Sequence, residues 1–559
     1  MDKKKKYRSS KFFILGAIAG VGAIAGALLL GLYWLRPTGM IHGVLMYFYM
    51  NPLFWMLPIL SLLLIIAAKA LFIALRPAAY AGRDWSFPYK LLNRRSKRSY
   101  RGEIPSVAAW SCLVVPIIAM IFGASIQGVV NSAATYNHYK FTEITELPQT
   151  ESVRIMPFEV AQVVSSSGFD SSTSKLGSMK IVADANKQMN WTFGQLPDGL
   201  FRTWTRKTQG SLSQPADITS RKTSLDNTEF KFSPGQKLTD GLRWQLYKIN
   251  FLSNVPSTVF MSNDDAEPVI VAPYIEYKGF FTKVPVLGGI YVVDAEGNIE
   301  DLSPEEAAAT PFLANSGQII PDSLALDIQN SYAYKNGIWN KLFIHEDQTE
   351  IVGSSGGNDQ PYLNTFKQGD PDWVTTAEPY GTAYATKAVF LTDSVTGETQ
   401  VWSPPEGSSL SGNARALEVV RGLAIPGVTF DKFDVVEPRP IVHLGRLQFV
   451  VSVVPTNYNG VTKTAIVDAA DNKVIAIFNH DTDPGADAEL KAYIAGAKEA
   501  VTPDEIPETD SGQESGVDPG SSAPAELDDQ AALIRQLIEA NKQEQALLEE
   551  LARFYSKKK

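Results

Sequence analysis

Three long apolar segments near the start of the chain constrain it most. Phe12–Leu35 (FFILGAIAGVGAIAGALLLGLYWL) runs for 24 residues without a charge, enough for a helix to cross about 30 Å of hydrocarbon. Met56–Leu75 is broken only by Lys69, and Val107–Val130 carries no charge. All three are expected to be transmembrane helices. For the first, a signal peptide is the rival reading, because Lys3–Lys6 resemble a charged leader. The run ends, however, in the aromatic pair Tyr33-Trp34 rather than in a small-residue cleavage site. Gly16/Gly20 and Gly22/Gly26 are spaced for close helix approach, or simply belong to a Gly/Ala-rich span. Pro58 is expected in the first turn of the second span. Lys69 either snorkels toward headgroups or is a functional intramembrane lysine. Pro116 is expected to kink the third span.

Charge sets the orientation. Residues 1–106 carry a net charge of +13, the whole chain −9, and residues 107–559 therefore −22. The positive charge gathers at Lys3–Lys6, Arg8 and Lys11 and again between Arg76 and Arg101, whereas the short loop around RPTGMIHG has only Arg36. Basic loops stay cytoplasmic. The N-terminus and residues 76–106 are thus expected inside a cell membrane, and the chain from about residue 131 onward outside. A basic head on an acidic body points to two environments and to a lipid partner, not to nucleic acid. The single cysteine, Cys112, lies in an apolar segment, so no intramolecular disulfide forms.

The outer part repeats a local pattern. YVVDAEGNIEDL (291–302) could be a calcium loop, but an EF-hand needs glycine at its sixth position. Counted from Asp294, Gly297 is at the fourth. A hairpin turn fits instead. AVFLTDSVTGETQVW (388–402) and TAIVDAADNKVIAIF (464–478) have the same form, a β-rich run ending in aspartate, a polar turn and a second strand. Short amphipathic helices are expected before them at 157–168, 321–332 and 412–427, with Ala161/Val164, Leu324/Ile328 and Leu417/Val420 on the covered faces. Helix-then-hairpin units that end in Val292-Val293-Asp294-x-x-Gly297 or Ile466-Val467-Asp468 resemble the PepSY domain and its cystatin-like relatives. Leu391-Thr392-Asp393 with Gly397 departs by one residue in turn length. The resemblance covers roughly residues 154–480. It implies an envelope-anchored protein of a kind that restrains peptidases or regulates envelope machinery.

The expected fold class is membrane-anchored α+β: a membrane domain (1–130), an α+β module with an insertion or a further unit (131–310), and two more modules (311–405 and 406–500). An acidic Pro/Gly/Ser-rich linker (501–530) and a tethered helix (531–556) complete it. In that helix Leu533, Leu537, Leu547, Leu551 and Phe554 follow heptad-like spacing, with Glu544 at a core position. The stripe suits a docking or coiled-coil helix that binds a protein partner or itself, or a helix folded back on its own domain.

Chemistry is sparse. The five histidines show no H-x-x-x-H spacing, FIHED (343–347) has the character of a solvated turn, and GSSGGNDQ (353–360) lacks a P-loop lysine. SNDDAE (262–267) could hold a cation or simply be solvated. Trp191, Trp204, Trp244, Trp339, Trp373 and Trp402 are expected in sheet packing. Neither a catalytic site nor a cofactor is expected. Two functions follow: a non-enzymatic integral membrane envelope protein presenting a large outer scaffold or binding region as part of a larger assembly, with the tail helix recruiting a partner, or a regulator or subunit of a membrane transport or secretion apparatus. A membrane-bound hydrolase ranks third.

Overall fold

The computed structural model describes residues 26, 30, 31, 39–74 and 104–497, less 170, 171, 185, 200, 354–359, 368, 382, 383, 406, 424 and 426; side chains of 69–74, 104–113 and 238 are also outside the description. The fold is mixed α+β with several sheets.

A helix followed by an antiparallel meander occurs four times. Phe158–Ser167 precedes a sheet whose first strand is split into Ser174–Leu176 and Lys180–Ala183, followed by Met189–Pro197, Ser211–Pro215 and Ser224–Asp226. Leu242–Ile249 precedes Val259–Ser262, Pro268–Lys278, Val284–Val293 and Ile299–Leu302. Asp322–Ser331 precedes Tyr362–Phe366, Asp372–Pro379, Ala388–Asp393 and Thr399–Trp402. Asn413–Arg421 precedes Phe433–His443, Arg446–Pro455, Lys463–Asp468 and Lys473–Asn479. Strands lie in sequence order within each meander. The long interval 131–310 thus holds two helix–sheet sets. The helix at Leu242–Ile249 escaped the sequence reading because it is only eight residues long, with Leu242, Leu246 and Tyr247 marking its buried face.

Each helix forms where apolar residues recur at helical spacing, and it buries that stripe on a sheet. Val160, Ala161 and Val164 pack with Ile181, Met189 and Trp191, and Leu324 and Ile328 join the same core. Ala416, Leu417 and Val420 lie between the last sheet (Phe449, Val451, Val467) and the third (Val389, Leu391). The other face of the last sheet is covered by Ala486–Ile494 through Leu490, Tyr493 and Ile494. The third sheet is extended from far away in sequence. Phe141–Ile144 pairs in parallel with Thr399–Trp402, and Thr150–Val153 pairs antiparallel with Tyr362–Phe366.

Among the described residues one helix, Val114–His138, is long and apolar enough to cross a membrane, and only 11% of its most apolar window is buried. It is the end of the continuous helix Ile104–His138, which runs through Pro116 and contains the expected third span. The expected second span falls in Pro52–Ala74. That helix passes the same test only together with Met40–Met50, from which it is bent by 65°. Two details are corrected. Residues 40–50, treated in part as loop, form a helix. Pro58 lies inside the second helix rather than in its first turn, because the helix begins at Pro52. The first expected span lies outside the described residues except for residues 26, 30 and 31.

Candidate functional site

The aspartate hairpins are turns built by their own side chains. In 291–302 the Asp294 carboxylate accepts from the Asn298 backbone N–H (2.7 Å) and from Asn298 Nδ2 (2.6 Å). Gly297 takes the left-handed conformation, φ 88°, that lets the chain re-enter the sheet. The Asp393 carboxylate accepts from Val395 and Thr396, and the Asp468 carboxylate from Ala470 and Asp471. Their left-handed residues, Gly397 and Asn472, come four positions after the aspartate rather than three. Asp468 therefore shares the longer turn of Asp393, where the sequence had grouped it with Asp294. SNDDAE is another such turn, in which Asn263 Oδ1 accepts from the backbone N–H groups of Asp265 and Glu267.

FIHED is engaged in packing and ion pairs, whereas residues 354–359 of GSSGGNDQ and the Lys69 side chain lie outside the description. The His345 ring stacks on Tyr380 at 4.1 Å, and Asp347 pairs with Lys335 (2.6 Å) and Lys387 (2.7 Å). Among the described residues no group of three or more His, Cys, Asp or Glu is arranged to hold a metal ion. Trp191, Trp373 and Trp402 are buried in strands, but Trp204, Trp244 and Trp339 sit in helices, and Trp339 is 68% exposed. Leu533, Leu537, Leu547, Leu551 and Phe554 lie outside the described residues, as does the whole linker.

Among the described residues, two clefts are candidate sites. The larger, about 540 Å³, lies between the first sheet and the edge strand of the second. One wall is the polar face of the first sheet, where Thr192 sits opposite Ser213 and Ser213 opposite Ser224. Phe260, Met261 and Phe312 supply the apolar wall, and no His, Cys, Lys or Arg lines the cleft. The ionisable groups in its lining are the carboxylates Asp184, Asp226 and Asp264, beside the hydroxyls of Ser211, Ser213 and Ser224. The cleft can bind through hydrogen bonds and apolar contact.

The smaller cleft, about 330 Å³, has Arg154 among its lining residues. The guanidinium lies 5.0 Å from the Trp191 ring centre and 4.8 Å from that of Tyr362, and its Nε donates to Glu437 (3.2 Å). Glu437 sits in a bulge of the last sheet with φ 50°, and its other oxygen accepts from the Phe158 N–H at the start of the first repeat's helix (2.8 Å). Arg439, wholly buried, lies 3.8 Å from the same carboxylate and donates to Ile155 and Val450 carbonyls and to Ser452. Burial pulls its guanidinium down to about 10, so it stays charged at neutral pH. These groups are largely sealed inside, which marks them as fold-organising. The sequence reading passed over them because FDVVEPRPIVH has the composition of a strand. Pro438 beside Glu437 was the available signal, since proline within a strand marks a bulge or an edge.

One acidic group has a pH signature. Asp372 faces Asp393 directly across the sheet. Burial first, then Asp393 and Asp370, push its pKa up to about 8. In an unfolded chain the same group releases its proton near about 3.9. Its penalty on the folded state is therefore absent below that pH, grows as pH rises toward about 8, and is constant above it. Asp372→Asn is expected to raise the melting temperature at about pH 9 and to leave it unchanged at about pH 3. An equal shift at both pH values would contradict this assignment.

Comparison with family models, with curated proteins and with solved structures gives no match.

Proposed function

We propose that this chain is a non-enzymatic, multi-pass protein of a cell envelope membrane that presents its four helix–sheet repeats outside the cell as a binding scaffold, with the repeats as PepSY-like or cystatin-like units. The observation that carries this reading is the junction between helix and body. Val114, Ile118, Ile121 and Phe122 are exposed on an apolar helix that runs almost directly into the body at Phe141. There Tyr136 stacks on Phe141, and Tyr139 donates to the Pro285 carbonyl. The basic residues at 76–101 support a cytoplasmic location for the other end of that helix.

The test is accessibility in intact cells. With Cys112 replaced by serine, an impermeant thiol reagent is expected to label Glu296→Cys and not Ser96→Cys. Labelling at Ser96 reverses the orientation.

The 531–556 segment is proposed as a partner-docking helix, through Leu533, Leu537, Leu547, Leu551 and Phe554. Replacing Leu537 and Leu551 by Asp is expected to abolish partner capture or self-association in sedimentation and leave the melting of the body unchanged. Unchanged association rejects docking, and a destabilised body indicates a helix folded back on it.

A further inference from the structure

Part of the body's exposed apolar surface lies where it meets the helices Pro52–Ala74 and Ile104–His138. The hairpin tip Gly279–Lys283 carries Phe280 and Phe281, 65% and 56% exposed, edge-to-face at 4.9 Å. Its level is fixed by hydrogen bonds. Gln127, fully buried within the long helix, donates to the Phe281 carbonyl (3.0 Å) and accepts from the Leu53 N–H (2.8 Å) at the head of the Pro52–Ala74 helix. Asn131, one turn on, accepts from the Lys283 N–H (2.8 Å). The two phenylalanines therefore flank the start of an apolar helix whose Ile59, Leu60, Leu63 and Leu64 are exposed.

Met40–Met50 meets that same point. It contains no charged residue and is bent 65° from the helix that follows. Beside a spanning helix tilted by about 20°, such an element lies closer to the membrane plane than to its normal. One side is fixed to the body: His42 stacks on Tyr247 at 3.4 Å and bonds to the Phe251 carbonyl (2.9 Å), and Tyr49 donates to the Tyr277 carbonyl (3.1 Å). The other side leaves Met40, Val44, Leu45, Tyr47 and Phe48 exposed. Aromatic and apolar side chains at this depth are the composition of a lipid–water boundary.

We propose that this face is a membrane seat: the Phe280-Phe281 tip and the free side of Met40–Met50 enter the outer headgroup layer and hold the body flat on the bilayer. The inference rests on the membrane reading above. It adds that lipid, rather than water or protein, covers the base of the body. Continuity of this face with the exposed apolar helices is what selects lipid.

The test uses the full chain with Cys112→Ser, reconstituted in phosphatidylcholine–phosphatidylglycerol vesicles. A polarity-sensitive fluorophore is placed singly at Phe280→Cys, Leu45→Cys, Ile118→Cys or Glu296→Cys. Lipids carrying a nitroxide near the headgroup are expected to remove most of the emission at 280 and 45, while aqueous iodide leaves it. Glu296→Cys should respond to iodide only, and Ile118→Cys to nitroxide lipid only. Quenching at 280 and 45 by iodide alone, with 118 still lipid-quenched, overturns the seat and leaves the spanning helix in place. Protection from both quenchers at 280 and 45 also overturns it, and shows a second copy or another protein on this face. Iodide quenching at 118 removes the membrane reading itself, and the seat with it.

Discussion

Glu437→Ala is expected to cost the body about 3–5 kcal/mol, the largest loss from any single side chain discussed above. The carboxylate is 1% exposed and holds three things at once: Arg154, Arg439 and the N-terminus of Phe158–Ser167. Removing it takes the Glu437 carboxylate from two buried guanidinium groups and the cap from a helix. Exposed pairs set the comparison. Arg415 and Glu418 are both about half exposed (49% and 53%), and breaking such a contact costs roughly 0.2–1 kcal/mol. Urea midpoints of the full chain in detergent micelles, read by tryptophan emission, should separate Glu437→Ala clearly from Arg415→Ala. Similar midpoints would show that the buried charges are not a unit.

Gly123→Leu is expected to separate the helices Pro52–Ala74 and Ile104–His138. A Cβ at position 123 would lie 2.4 Å from the Leu53 carbonyl oxygen and 2.8 Å from its carbon. Both are backbone atoms, so the obstacle cannot rotate away, and the crossing must open. The neighbouring bond from Leu53 N–H to Gln127 would break with it. Overpacking of this kind costs about 1–3 kcal/mol, and more where the backbone cannot move. Gly128 has nothing within 4 Å of its own Cβ position, so Gly128→Ala is the matched control and should melt like the parent or slightly above it. Helical signal by circular dichroism on heating in detergent measures both. Equal melting of Gly123→Leu and the parent would remove this close approach.

The hairpins were readable because their determinants lie within five residues. An aspartate that caps the turn and a glycine or asparagine that accepts the left-handed conformation are local facts. The helices at 158, 322 and 413 were readable for the same kind of reason, since Ala161/Val164, Leu324/Ile328 and Leu417/Val420 repeat at helical spacing. Gly123 and Gln127 were not recognised, although a glutamine inside an apolar run was visible. Its role depends on Leu53 and Phe281, which are distant in sequence. Glu437 is a similar case, its partners being almost three hundred residues upstream. Nor does periodicity reveal that Phe141–Ile144 joins a sheet made from residues 362–402, because strand order across distant segments is set by packing rather than by local pattern.

That last pairing imposes a timetable. A ribosome delivers the stem of the body, Phe141–Ile144, some 250 residues before its partner strand Thr399–Trp402 exists. Until then the stem has an unfilled edge, and the first two repeats meet the helix only through side-chain bonds such as Tyr139 to Pro285 and Asn131 to Lys283, without a shared sheet. Completion of the third repeat closes the ring between stem and body, and the fourth then supplies Glu437 to finish the first helix. A nascent chain stalled before residue 402 would therefore expose a sticky β-edge beside the helix, and quality control could distinguish it from a finished molecule by that edge alone.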